Sequence, residues 1–154
     1  MFQLDPRLAR DTIELGRFPL CRLLLMNERT YPWFILVPQR PAVREIHHLA
    51  TADQQQLWRE SALLAGWMET TFAFDKLNVA ALGNIVSQLH LHHVGRRRDD
   101  PAWPGPVWGQ RPPVPYGAAE ISDLWQLLAG GAADLGESFQ SNSNPAPPAA
   151  PIPD

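Results

Sequence analysis

Cysteine is almost absent: Cys21 is the single one in 154 residues. That excludes an intrachain disulfide and any cluster of thiolate metal ligands. Long apolar runs are missing too. None approaches the roughly 20 residues of a membrane-spanning helix, and the opening MFQLDPRLAR has no signal-peptide core. A cytoplasmic location with no membrane partner is therefore expected. An excess of positive charge is also lacking, since 13 Lys and Arg face 16 Asp and Glu, for a net charge of −3. A sequence-independent nucleic-acid binder would show an overall basic surface, so no nucleic-acid polymer is expected as a partner. The local exception, Arg96-Arg97-Arg98, is largely neutralised by Asp99 and Asp100 and suits one phosphate group.

What is present is one domain's worth of chain with enough apolar residues for a core. Two β-type runs, LCRLLLMN (20–27) and WFILV (33–37), flank a turn-like link and read as an antiparallel hairpin. Thr51-Ala52-Asp53-Gln54 matches a capping box, with Thr51 capping and Gln54 reaching back. Leu57, Ser61, Leu64, Met68 and Phe72 then recur at helical spacing over about five turns. LNVAAL (77–82) and QLHLHHV (88–94) are the next predicted strands, and a short C-terminal helix spans about 118–130. The class is α+β, a mainly antiparallel sheet with one long helix and a short C-terminal one. Residues 101–116, PAWPGPVWGQRPPVPY, hold six prolines and two tryptophans and read as an ordered loop. The domain is placed at 1–136, and 137–154 reads by composition as a disordered tail.

Three of five histidines fall in GNIVSQLHLHHVGR, residues 83–96. On a strand, alternation puts Gln88, His90 and His92 on one side and His93 on the other. The residues alone leave three readings open. The imidazoles can be satisfied structural groups of a half-buried sheet. They can be two ligands of a zinc or iron ion, although His47, His48 and scattered carboxylates offer no third ligand at a telling spacing. Or one neutral imidazole can attack phosphorus while the second donates a proton or hydrogen bond to the departing oxygen. Asn84 is equally a turn residue and a carboxamide donor to phosphate, and Arg96 is equally a phosphate partner and a solvated loop residue. His47 and His48 read as surface residues at the helix entry. Trp33, Phe34, Trp103 and Trp108 are core aromatics or the walls of an apolar slot for a base.

The stretch resembles the signature of the histidine-triad (HIT) superfamily of nucleotide hydrolases and transferases. That pattern runs Gly-Gln-Ser-Val-x-His-φ-His-φ-His-φ-φ, with φ apolar, and Arg follows shortly after. Gly83, Val86, His90, His92, Val94 and Arg96 fall in register with it. Upstream, MNERTYPWFILVPQRPAVREIHHL and DKLNVAALGN resemble the family's preceding segments, so the likeness covers about residues 18–98. The departures are Gln88 at the first triad position, His93 at an apolar one, and Asn84 in place of Gln.

The resemblance implies hydrolysis or transfer at the α-phosphorus of a dinucleoside polyphosphate or nucleoside phosphoramidate. His90 would be the nucleophile of a covalent nucleotidyl intermediate, and His92 would assist. Gln88, Asn84 and Arg96 would hold phosphate, Asn27 would touch the ribose, and Asn78, at the polar position of its strand, would also bind substrate. No metal is obligatory, although a divalent ion can accompany the substrate's phosphates. A homodimer built on the long helix and an adjacent strand is implied as well. The alternatives are a nucleotide-binding protein with little turnover, because Gln88 cannot carry a proton, and a metal-binding histidine protein.

Overall fold

The computed structural model describes residues 1–143. The chain opens with a short helix α1 (Pro6–Asp11) and strand β1 (Thr12–Arg17), followed by β2 (Cys21–Met26) and β3 (Trp33–Pro38). A 3₁₀ turn at Ile46–His48 leads into the long helix α2 (Thr51–Thr71), then β4 (Lys76–Ala80) and β5 (Leu91–Arg96). Helix α3 (Ala118–Gly130) and a two-residue strand β6 (Gln140–Ser141) complete the described chain. One six-stranded sheet runs in the order β4-β5-β3-β2-β1-β6, antiparallel at every pairing. The α+β class and the mainly antiparallel sheet are as expected from the sequence.

The sheet is covered on both faces at its centre. Every residue of β3 is buried, which is why WFILV reads as an unbroken apolar run instead of alternating. Phe34 and Leu36 join Leu23, Leu25 and Leu91 against Leu57, Leu64, Trp67 and Met68 of α2. Trp33, Ile35 and Val37 point the other way, into a second cluster with Leu24, Val94, Leu8 and Val107. Each such leucine removes enough apolar surface from water to contribute roughly 1.5–3 kcal/mol. The second cluster depends on α1 and the loop after β5, and neither is sheet or long helix.

Several expectations are corrected. Thr51 is the first residue of α2 and not its cap; Ala50 takes the cap position with no side-chain bond, and Gln54 Nε2 donates to the Leu49 carbonyl at 2.8 Å. The histidine strand begins at Leu91, not at 88, because residues 88–90 make no ladder pairing with β3 or β4. The start of the chain, unassigned from sequence, forms α1 and β1, with Asp5 Oδ1 accepting the Arg7 amide and Pro6 in the first turn. The tail expected from 137 is ordered through 143. Phe139 packs on Phe18, β6 pairs with β1, and Asn142 Nδ2 donates to the Glu14 carbonyl. The remainder of that expected tail, 144–154, lies outside the described residues.

Helix α2 also carries a fully buried carboxylate. Glu60 accepts the amides of Leu20 and Cys21 at 2.8 and 2.9 Å, and Gln56 Nε2 at 2.9 Å, tying the helix to the start of β2. Glu60→Ala is expected to orphan both amides and cost about 2–4 kcal/mol in urea denaturation at neutral pH. Gln56→Ala, which removes only a partly buried partner, costs under about 1 kcal/mol in the same assay.

Candidate active site

Strand β5 sorts its histidines by parity. His92 lies opposite Ile35 and His93 opposite Phe34 in the pairing with β3, so the two rings enter opposite faces of the sheet. His93 faces α2, where Nε2 sits 2.7 Å from Ser61 Oγ and Nδ1 lies 3.2 Å from the Leu91 carbonyl. His90 stands just before the strand but keeps the parity of His92, and their ring centroids are 4.8 Å apart. Both rings line a cavity of about 390 Å³. The rim comes from the β4–β5 connection, including Gly83, Asn84 and Val86. Gly83 adopts φ +72° there, a conformation that a side chain strains. The opposite wall is Leu8, Asp11 and Thr12 from α1 and β1, and Trp108 of the proline-rich loop closes one end.

Hydrogen bonds assign the two rings opposite roles. His90 Nδ1 is 2.7 Å from the Gln88 carbonyl oxygen, which can only accept, so the proton sits on Nδ1 and the neutral ring keeps a lone pair on Nε2. His92 Nδ1 is 3.0 Å from Trp33 Nε1, an indole N–H that can only donate. In neutral His92 the proton is therefore on Nε2. One ring offers a nucleophilic nitrogen and its neighbour an N–H donor. Burial, with smaller contributions from His90 and His93, pushes the His92 pKa down to about 3. Burial likewise lowers His93 to about 4. That depression favours neutral His92 at physiological pH, with Nε2–H available as a hydrogen-bond donor.

The family profile described as HIT domain matches residues 8–99, more than half of the chain. The protein belongs to the histidine-triad family. A histidine triad protein from Marinobacter aquaeolei VT8 is 51% identical, with a TM-score of 0.85 over 88% of this chain and 99% of that one. Histidine triad proteins from Sinorhizobium meliloti 1021 and Bradyrhizobium japonicum are 43% and 41% identical, with TM-scores of 0.82 and 0.81. Each of these two alignments covers 84% of this chain and 96% of the other. The comparison with curated proteins returned no match. At its coarsest, HIT membership carries a nucleotide-related function.

Of the other candidate residues, some stand where the sequence suggested and some do not. Asn84 does line the cavity. Gln88 does not: its carboxamide binds the backbone of Gln3 and Asp5, and only its carbonyl reaches the site. Arg96, expected at a phosphate, is 1% exposed and committed elsewhere. It forms a two-point ion pair with Asp100 and donates to Asn78 Oδ1 and to the Gly105 carbonyl. Asn78 is thereby a brace for Arg96. Asn27, expected at the ribose, accepts the Tyr116 amide and so fastens the end of the proline-rich loop. Phe34 packs on Trp67 and Phe72 on the far face, and His47 and His48 are exposed on their turn. Trp103 lies against the Arg96 guanidinium. Sequence reading missed Leu8, Asp11 and Thr12 among the cavity residues, and the Asp5-Pro6 helix start was the signal available for them. Among the described residues, no three His, Cys, Asp or Glu side chains converge as a metal site. No helix among them is long and apolar enough to cross a membrane.

The depressed histidines predict a pH dependence. Because the folded pKa values lie below the ordinary 6.5, the unfolded chain binds more protons as pH falls below that value. Stability is fully present above about pH 6.5 and declines toward pH 4 by about 1.4 kcal/mol per unit for each ring. Urea midpoints between pH 6.5 and 4.5 check this. The pair Ser61→Ala/His93→Leu, which replaces both buried partners, is expected to shed one ring's share of the slope.

Proposed function

We propose that this HIT protein is a hydrolase or transferase acting at the α-phosphorus of a nucleotide conjugate, with His90 as the nucleophile. The observation behind this reading is the complementary pair: a lone pair on His90 Nε2 beside an N–H on His92 Nε2, both facing one cavity. His90 Nε2 attacks phosphorus, the bond to the leaving group breaks, and its electron pair departs on the leaving atom, which takes up a proton from solvent where the leaving group is an amine. His92 steadies charge by donating from Nε2, together with the Asn84 carboxamide. Water then attacks phosphorus, the P–N bond returns its pair to His90, and the water's proton passes to solvent.

The cavity size favours one nucleotide as the bound unit, since it stands near the lower end of small-molecule sites. Trp108 and Ile35 supply apolar surface for a base, and the Asp11 carboxylate can accept from sugar hydroxyls. A divalent ion, where present, would arrive with the substrate's phosphates. A homodimer remains part of the proposal, supported by the open outer edge of β4 and by Val79 and Leu82, 41% and 40% exposed beside it.

Incubation with diadenosine polyphosphates and adenosine phosphoramidate, followed by an alkaline denaturing quench that preserves a P–N bond and by intact mass measurement, tests the reading. A gain of one nucleotidyl group on the wild type is expected, with turnover that survives a chelator. His90→Ala is expected to lose both adduct and at least about 10³-fold in rate. Nucleotide binding with no adduct and no turnover would instead establish the binding-protein alternative. Trp33→Phe keeps the ring but frees the His92 tautomer. Its kcat is expected to fall toward the roughly 10²-fold cost of removing one preorganised donor.

A further inference from the structure

Gln88 occupies the first triad position, yet its side chain is turned away from the chemistry and fully engaged. Its Oε1 accepts the Asp5 amide at 2.9 Å, and its Nε2 donates to the Gln3 carbonyl at 2.9 Å. A third bond lies next to these: the Arg7 guanidinium donates to the Ile85 carbonyl at 2.7 Å. Residues 3–7 are thereby fastened to residues 85–88, about eighty positions away in the chain. Asp5, held by its own amide, also caps α1 by accepting the Arg7 amide. Helix α1 is only six residues long, too short to persist by itself in water. What it presents to the cavity is Leu8, Asp11 and the adjoining Thr12.

We propose that Gln88 is a positioning residue that latches the N-terminal strap, making α1 a wall of the nucleotide cavity and setting substrate affinity. This rests on the function proposed above for the cavity, but the latch itself does not. A carboxamide presents one acceptor and one donor side by side, which is what two backbone groups of an extended segment require. Gln3 and Asp5 precede the matched HIT residues while Gln88 lies within them, so the latch joins the start of the chain to the matched portion.

Hydrogen exchange by mass spectrometry on full-length Gln88→Ala, read together with affinity for adenosine 5′-monophosphate, tests both halves. Amides of residues 3–9 are expected to exchange about tenfold faster, while β2 and β3 stay at the wild-type rate. The dissociation constant, or KM where a substrate turns over, is expected to rise about tenfold, with kcat changing less. Gln88→Glu keeps an acceptor for the Asp5 amide but loses the donor to Gln3. It is expected to fall between the two, which a general loss of folding would not produce. Unchanged exchange at residues 3–9 would overturn the latch. Faster exchange with unaltered nucleotide affinity would overturn its role as a cavity wall, as would a fall in kcat at constant KM. If the wild type neither binds nor turns over any nucleotide, the cavity's proposed function fails, and the exchange result still decides the latch.

Discussion

Covering both faces of the central strands is the constraint on which the other features depend. Once α2 seals one face of β3 and β5, and α1 with the loop after β5 seals the other, every side chain of β5 is buried. Alternation along the strand then sends His92 and His93 into separate, buried environments. Burial penalises the imidazolium, so both rings are held neutral and each needs defined partners. Ser61 and the Leu91 carbonyl meet that need on one side, and Trp33 meets it on the other. The neutral His92 in the cavity and the neutral His93 behind it both follow from the layering of the fold.

The same layering separates what the main chain does at position 88 from what the side chain does. His90 takes its orientation and tautomer from the carbonyl of Gln88, a group that any residue there would provide. The side chain is therefore free for a different task, and in this protein it binds the backbone of the N-terminal strap. The His90 hydrogen bond comes from the main chain at position 88 and does not depend on the side chain there.

Charge is handled indirectly. Among the described residues lining the cavity there is no Lys or Arg, and the nearest candidate in sequence, Arg96, is buried with Asp100. A buried pair of this kind contributes little net stability but is costly to break. Its evident product is geometric: by also gripping the Gly105 carbonyl and lying near the rings of Tyr31 and Trp103, Arg96 holds the proline-rich loop. Trp108, further along that loop, then packs edge-on against His92 and Trp33. Phosphate charge in such a cavity would be met by neutral donors, among them His92 and Asn84.

The local patterns were legible in the residues because they are set by periodicity. The long helix, the pairing of His90 with His92 and the exclusion of His93 follow from repeat lengths of 3.6 and 2, and the WFILV strand from its short unbroken apolar run. Where a polar group makes its bonds is not a periodic property. The family resemblance made Gln88, Asn27, Asn78 and Arg96 candidate ligands of the substrate. Their partners lie 18 to 89 positions away or in loops, and only the packed chain brings those groups within bonding distance. Likewise Asp11 reaches the cavity through a six-residue helix that folds back onto the end of the histidine loop. The sequence by itself determined the class of fold and the two imidazoles that share a face. Tertiary structure decided which polar residues are free to act, because hydrogen-bonding capacity is finite and neighbours remote in sequence had already claimed most of it.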